Sequence, residues 1–319
     1  MAHNLYQRNG KVSFASAREK AWHGLGQIVQ GAMTSSEAIR AAHLDYEVAK
    51  ASLFIKDLEN QLYDVPNKYA TVNCETGEVL GIVGNNYQIL QNSEAFEFFD
   101  SIVGAELAMF ETAGALGKGE TIFITAKLPT DLIVGNDDVI NNYLLLTNSH
   151  DGSKAVEVMF TPIRVVCNNT LQASLRSAKK RFKIKHTENY KHKFEEAQEV
   201  LNIVHKSSLA LQELFNNLAN DLWTDEQMKN MVEKFFPATM IEDKPSSKGL
   251  NIQNNVLSYY QQGPGQAEFV GTKYGAYNAV TGYFQNVKNY SNQEDKMKSV
   301  MFGNAATVSE QVLDYLILN

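Results

Sequence analysis

Residues 176–193 hold Arg176, Lys179, Lys180, Arg181, Lys183, Lys185, Lys191 and Lys193 against a single acid, Glu188. This segment carries +7 while the 319-residue chain carries −7, so the remainder sums to −14. A cationic ribbon on an anionic body suits one localised contact with a polyanion rather than general adhesion. Nucleic acid is the first candidate. Each phosphate neutralised by such a ribbon releases counterions, so binding of this kind weakens steeply with salt.

The spacing within the segment describes a surface. Over 171–180 a helix places Leu171, Leu175 and Ala178 on one side and Arg176, Lys179 and Lys180 on another. From Arg181 the chain alternates. An extended strand then sets Arg181, Lys183 and Lys185 on one face and Phe182 with Ile184 on the other. The apolar face docks and the cationic row is left for solvent or a groove, as in proteins that track a single strand. The competing reading is a solvated edge strand whose lysines prevent sheet aggregation. Lys118, set between Gly117 and Gly119, and Arg164 are accessory candidates, the first at a hairpin tip and the second beside the strand-to-helix join. Arg164 has an equal alternative, pairing with a carboxylate inside the sheet.

Little else in the chain has the form of a chemical site. The string Trp22-His23-Gly24-Leu25-Gly26 lacks the third glycine and the leading strand of a dinucleotide motif. A glycine-flanked Trp22 anchoring the N-terminal arm to the core is the first reading, with Trp22 and His23 stacking a base or contacting a phosphate as the alternative. Gly117-Lys118-Gly119 is followed by Glu120 and not by Ser or Thr, which excludes a phosphate loop and leaves a tight turn. The two cysteines, Cys74 and Cys167, form neither a disulfide framework nor a ligand pair. Seven histidines are dispersed without ligand spacing. No catalytic residue, metal or cofactor is expected.

The elements that must position the cations follow from periodicity. A capping box at Thr34 and Glu37 starts a short helix over 34–44. Extended segments around 46–55, 69–72 and 78–83, with a turn at Glu75-Thr76-Gly77, predict a hairpin. A helix capped by Asn92 or Ser93 follows. Strand signals dominate from 107 to 166, including 139–147 as one continuous apolar strand and a turn at Ser149-His150-Asp151-Gly152. Pro162 marks an edge or bulge, and Asn168 or Asn169 caps the basic helix. Helical spacing governs 194–236, and three further helical segments follow a polar connection at 242–249. The small and aromatic residues of 271–280 suit close helix packing, with a subunit interface or base-stacking surface as the alternative. The fold class expected is α+β: a mainly antiparallel sheet with helices in a domain over 1–190, the basic segment at its end, and a mainly helical domain over 191–319.

Composition agrees with a globular protein, at 44% apolar and 20% charged residues. No apolar run approaches the roughly 20 residues needed to cross a bilayer. Residues 1–20 lack the apolar region of a signal peptide. A cytoplasmic protein without membrane contact is expected.

Several strings together resemble a known family: Trp22-His23-Gly24-Leu25-Gly26, residues 162–171, Gly271-Thr272 with Asn278-Ala279-Val280, and Phe302-Gly303. They look like the phage/plasmid-like protein family, a domain of unknown function found on bacteriophages, prophages and plasmids. The resemblance implies a mobile-element setting in a bacterial cytoplasm and supplies no mechanism. At the level of fold, the order of hairpin, helix, strands and basic helix is similar to the core of single-strand annealing proteins, which assemble as rings or filaments around single-stranded DNA. The expectation is a non-enzymatic single-stranded DNA binding or annealing protein, acting as a homo-oligomer in replication or recombination. The alternative is an interaction protein that binds a host or phage protein through the basic segment. An enzyme acting on nucleic acid would need carboxylates clustered for a divalent metal.

Overall fold

The computed structural model describes all residues except 1–3, 22, 32, 107, 130, 137, 162–181, 187–196, 242–243, 293–294, 297–298 and 301–302. The chain forms two compact units. The first comprises 1–131 and 141–208, and the second comprises 132–140 and 209–319.

The first unit is α+β. Short strands β1 (Gln7–Arg8), β2 (Lys11–Val12), β3 (Phe14–Ala17) and β4 (Gln27–Val29) precede helix α1 (Ser35–Ala41). The capping box of Thr34 and Glu37 is present, with Thr34 Oγ1 accepting from the Glu37 amide at 3.3 Å. Then come β5 (Val48–Lys56), β6 (Leu62–Asn73) and β7 (Val79–Gly84), an antiparallel three-stranded sheet. Helix α2 (Asn92–Glu106) leads to β8 (Met109–Leu116) and β9 (Thr121–Lys127). Beyond β10 (Leu132–Val134) and β11 (Asp138–Ile140) the chain returns as β12 (Tyr143–Ser149), β13 (Val156–Thr161) and β14 (Phe182–Ile184).

Seven strands form the main sheet in the order β14-β13-β12-β9-β8-β3-β4, antiparallel except where β3 meets β4. Its register runs one row of side chains across one face: Phe14, Gly114, Phe123, Thr147, Glu157 and Lys183. On this face Phe14, Phe123, Leu145 and Met159 form a core with Leu5, Ala21 and Leu116. The opposite face meets α2, where Phe96 stacks on Phe110 at 5.9 Å and Phe99 lies 5.7 Å from the same ring. Strands this heavily apolar, β12 and β13 above all, are buried along their whole length because both faces are covered.

Two expectations change. Residues 139–147 are two strands, β11 and β12, broken at Asn141-Asn142, because β11 leaves the main sheet to pair with β10. The β10–β11 hairpin packs Val134 and Ile140 into the second unit's core, so the division falls at 208/209 with an insertion, and not near 190. Packing of this hairpin against residues so distant in sequence leaves no local signal.

The second unit is helical: α3 (Ala197–Asn220, its residues from 209 onward), α4 (Asp225–Phe235), α5 (Ser247–Gln262), α6 (Lys273–Gly282) and α7 (Asn304–Leu318). An antiparallel pair, β15 (Met240–Ile241) with β16 (Lys244–Pro245), overlaps the start of the expected polar connection. Thr224, Ser246 and Thr272 each cap a helix by accepting from the amide three residues on. Around 271–280 the packing is close: Ala276, Ala279 and Val280 are fully buried, and a Cβ on Gly275 would meet the Phe269 carbonyl at 2.0 Å.

Candidate nucleic-acid interface

Of the eight residues expected to contact nucleic acid, the structure describes Lys183, Lys185 and Lys118. Arg164, Arg176, Lys179, Lys180 and Arg181 lie outside the described residues. Among the described residues, strand β14 is the edge of the main sheet. Along it Lys183 and Lys185 are exposed, Ile184 and His186 are buried, and Phe182 is half-buried. The alternation sets both lysines on one face and holds the strand down by the other.

Lys183 stands directly opposite Glu157 on β13, its Nζ 3.0 Å from the carboxylate. The lysine side chain is 55% exposed and the glutamate 8%. One cation of the row is therefore matched by an acid from the neighbouring strand.

The sheet gathers three turns and strand ends at one end. Thr121 at the start of β9 pairs with Ser149 at the end of β12, and Val156 at the start of β13 pairs with Ile184. Lys118, Lys154 and Lys185 thus share that end, with β9 standing about 15 Å from β14 at three strand spacings. Lys154 was not singled out from the sequence, because only the pairing of β12 with β13 carries it there. Acids are interspersed. Glu120 accepts from the Lys118 amide at 2.6 Å, and Asp151 is held below the usual carboxylate range, burial being outweighed by hydrogen bonds from Ser149 and Ser153. The turn that presents Lys118 needs its glycines, since Gly117 and Gly119 have φ of 66° and 95°.

Two buried histidines support this end. His186 follows Lys185 and stacks on Tyr87 at 4.6 Å; its Nδ1 donates to the Gln88 carbonyl at 3.0 Å, and its own carbonyl accepts from the Gln88 amide at 3.0 Å. His150 is fully buried. Asn92 donates its amide hydrogens to the Leu44 carbonyl, so its oxygen faces His150, whose Nε2 donates at 2.9 Å. Burial, with the neighbouring His186 adding to it, pushes His150 down to about 3, and burial likewise lowers His186. Both rings are neutral at ordinary pH and fix the chain on which the lysines stand. The sequence showed His150 only as a turn residue and His186 only as a member of the alternating segment.

In the N-terminal string His23 lies edge-on to Phe14 at 5.2 Å, and Gly26, at φ 83°, packs against the Phe14 carbonyl. Trp22 lies outside the described residues, as does Cys167, while Cys74 is exposed.

The second unit contains a cleft of about 440 Å³ lined by Asp138, Glu268, Asn278, Thr281, Gln285 and Asn286, with Phe269 and Tyr259 among its apolar walls. Asp138 accepts from Tyr274 Oη at 2.5 Å. Gln285 and Asn286 belong to a π-helical turn, Tyr283–Val287, that follows α6. An acidic, amide-rich lining repels phosphate and suits an ammonium or guanidinium group. Among the described residues no group of three His, Cys, Asp or Glu stands together to hold a metal ion, and no helix is long and apolar enough to cross a membrane.

A family described as a domain of unknown function, DUF932, matches residues 79–302. No curated protein and no solved structure matches the chain.

Proposed function

The chain belongs to the DUF932 family, and on that premise we propose that it is a non-enzymatic protein that binds and anneals single-stranded DNA, acting as a homo-oligomer. The family carries no assigned reaction, so the proposal rests on residues. The observation that carries it is strand β14, an edge among the described residues, where Lys183 and Lys185 stand exposed on one face within the densest cationic stretch of the chain. The phosphate chain would follow this edge, with Lys154 and Lys118 as further contacts at the same end of the sheet. Phage and plasmid elements, on which the family that the sequence resembles is found, replicate and recombine through single-stranded intermediates, and this is the setting proposed, in a bacterial cytoplasm. Fluorescence anisotropy with a labelled oligonucleotide tests it: replacing Arg181, Lys183 and Lys185 with Gln should reduce affinity about tenfold or more while the fold is retained. An unchanged affinity would remove β14 from the site.

The acidic cleft of the second unit favours a different reading, an interaction protein whose partner inserts a lysine or arginine side chain beside Asp138 and Glu268. Asp138→Asn would then weaken capture of that partner and leave oligonucleotide binding untouched.

A further inference from the structure

The tip of the β5–β6 hairpin exposes large apolar side chains on both faces. Phe54 is 59% exposed, Ile55 60%, Leu58 104%, Leu62 67% and Tyr63 51%. Register sets Ile55 and Tyr63 opposite each other on one face and Phe54, Lys56, Leu62 and Asp64 on the other. A two-stranded ribbon is marginal in water by itself, and scattered single hydrophobes are ordinary, but five within ten residues on a projecting ribbon are a patch. The ribbon is also bent. Between Ser52 and Phe54 the register jumps, with Asn67 at φ 59° in the opposing stretch, so the tip turns away from the base.

Among the described residues, strand β5 is moreover an edge of its sheet. At Val48 the Gln91 side chain covers that edge, donating to the carbonyl at 2.8 Å and accepting from the amide at 3.0 Å. Among the described residues no side chain does the same beyond Val48. The alternation places the backbone groups of Lys50, Ser52, Phe54 and Lys56 outward, as Val48's are.

We propose that this edge and its apolar tip pair with the same edge of a second copy of this chain, antiparallel about a two-fold axis at Phe54. Three observations select a second copy. An edge paired with itself matches hydrogen-bonding groups without a foreign template. In this register Ser52 lies opposite the other copy's Lys56, and the acidic loop at Asp57 and Glu59 lies beside the other copy's Lys50, so charge is complementary. Taking side chains of roughly 150–200 Å², the exposed apolar parts come to on the order of 600 Å² per copy. Two copies together expose about 1,200 Å², the most that pairing could cover and the size at which stable interfaces begin. The tip's own charge, Asp57, Glu59 and Asp64 against Lys56, disfavours phosphate or an anionic membrane as the occupant. The inference deepens the homo-oligomer part of the proposed function and does not depend on its nucleic-acid part.

Sedimentation of the full chain without nucleic acid tests it. The chain should associate at about micromolar concentration. Phe54→Glu places two carboxylates at the axis and should weaken association at least about tenfold, with unchanged oligonucleotide affinity per chain and thermal transition. Lys50→Glu and Glu59→Lys should each weaken association, and the double variant should recover it. In a Cys74→Ser, Cys167→Ser background, Phe54→Cys should give a covalent dimer on mild oxidation. A chain that sediments as a monomer throughout, or a Phe54→Glu variant that associates normally, overturns the proposal. Loss of association with retained oligonucleotide binding, or the reverse, shows which of the two readings fails.

Discussion

Glu157 and Lys183 face each other across β13 and β14, and this pair sets how the cations of the edge divide their work. Lys183 has a carboxylate 3.0 Å away that is itself nearly buried, while Lys185, two residues on, is exposed. A phosphate arriving at Lys183 must compete with Glu157, whereas among the described residues no carboxylate is paired with Lys185.

The first expectation is a ranking. Lys185→Gln should lower oligonucleotide affinity more than Lys183→Gln. Glu157→Gln, which removes the competing anion, should raise it, by about twofold to fivefold at low salt and less as salt screens the site. Equilibrium titrations of the three variants check this, and equal losses for both lysines would contradict it.

A second expectation concerns acid. His150 and His186 are buried and their folded pKa values lie below the ordinary 6.5, His150 at about 3. The unfolded chain therefore binds more protons than the folded one below pH 6.5. Stability should be level above that pH and fall as pH drops from 6.5 towards 3, at most by about 1.4 kcal/mol per pH unit for each histidine. Urea midpoints measured from pH 5 to 8 should show the slope, and His150→Gln should flatten it. A midpoint that is level down to pH 5 would contradict the burial of neutral rings.

The third expectation separates two glycines of β7. A Cβ on Gly81 would lie 2.4 Å from Asp151 Cα, where the three-stranded sheet abuts the turn after β12, whereas one on Gly84 would meet nothing within 4 Å. Gly81→Ala should cost about 1–3 kcal/mol, because backbone has to move. Gly84→Ala should be near neutral. Thermal unfolding distinguishes them, and similar transitions for both would contradict the packing.

Local features were legible in the sequence: the capping box at Thr34, the hairpin turn at Gly77, the glycine turn at Lys118 and the alternation after Phe182. Each depends on residues a few positions apart. Pairing at long range was not legible. Asn141-Asn142 punctuate two strands that belong to different units, yet in the sequence they sit inside one apolar run. Nothing near Lys183 in the chain announces Glu157. His150 sits in a Ser-His-Asp-Gly string that reads as a solvent turn, and its burial follows only from Asn92 and Tyr46 arriving around it. Phe54, Ile55, Leu62 and Tyr63 have strand periodicity, which says which face a residue takes but not whether anything covers that face.

The salt dependence of single-stranded DNA binding tests the central claim most directly. If the basic edge neutralises about six phosphates, the logarithm of the association constant should fall against the logarithm of salt concentration with a slope of about −4. Absence of binding at low salt, or affinity that does not respond to salt, would contradict the account.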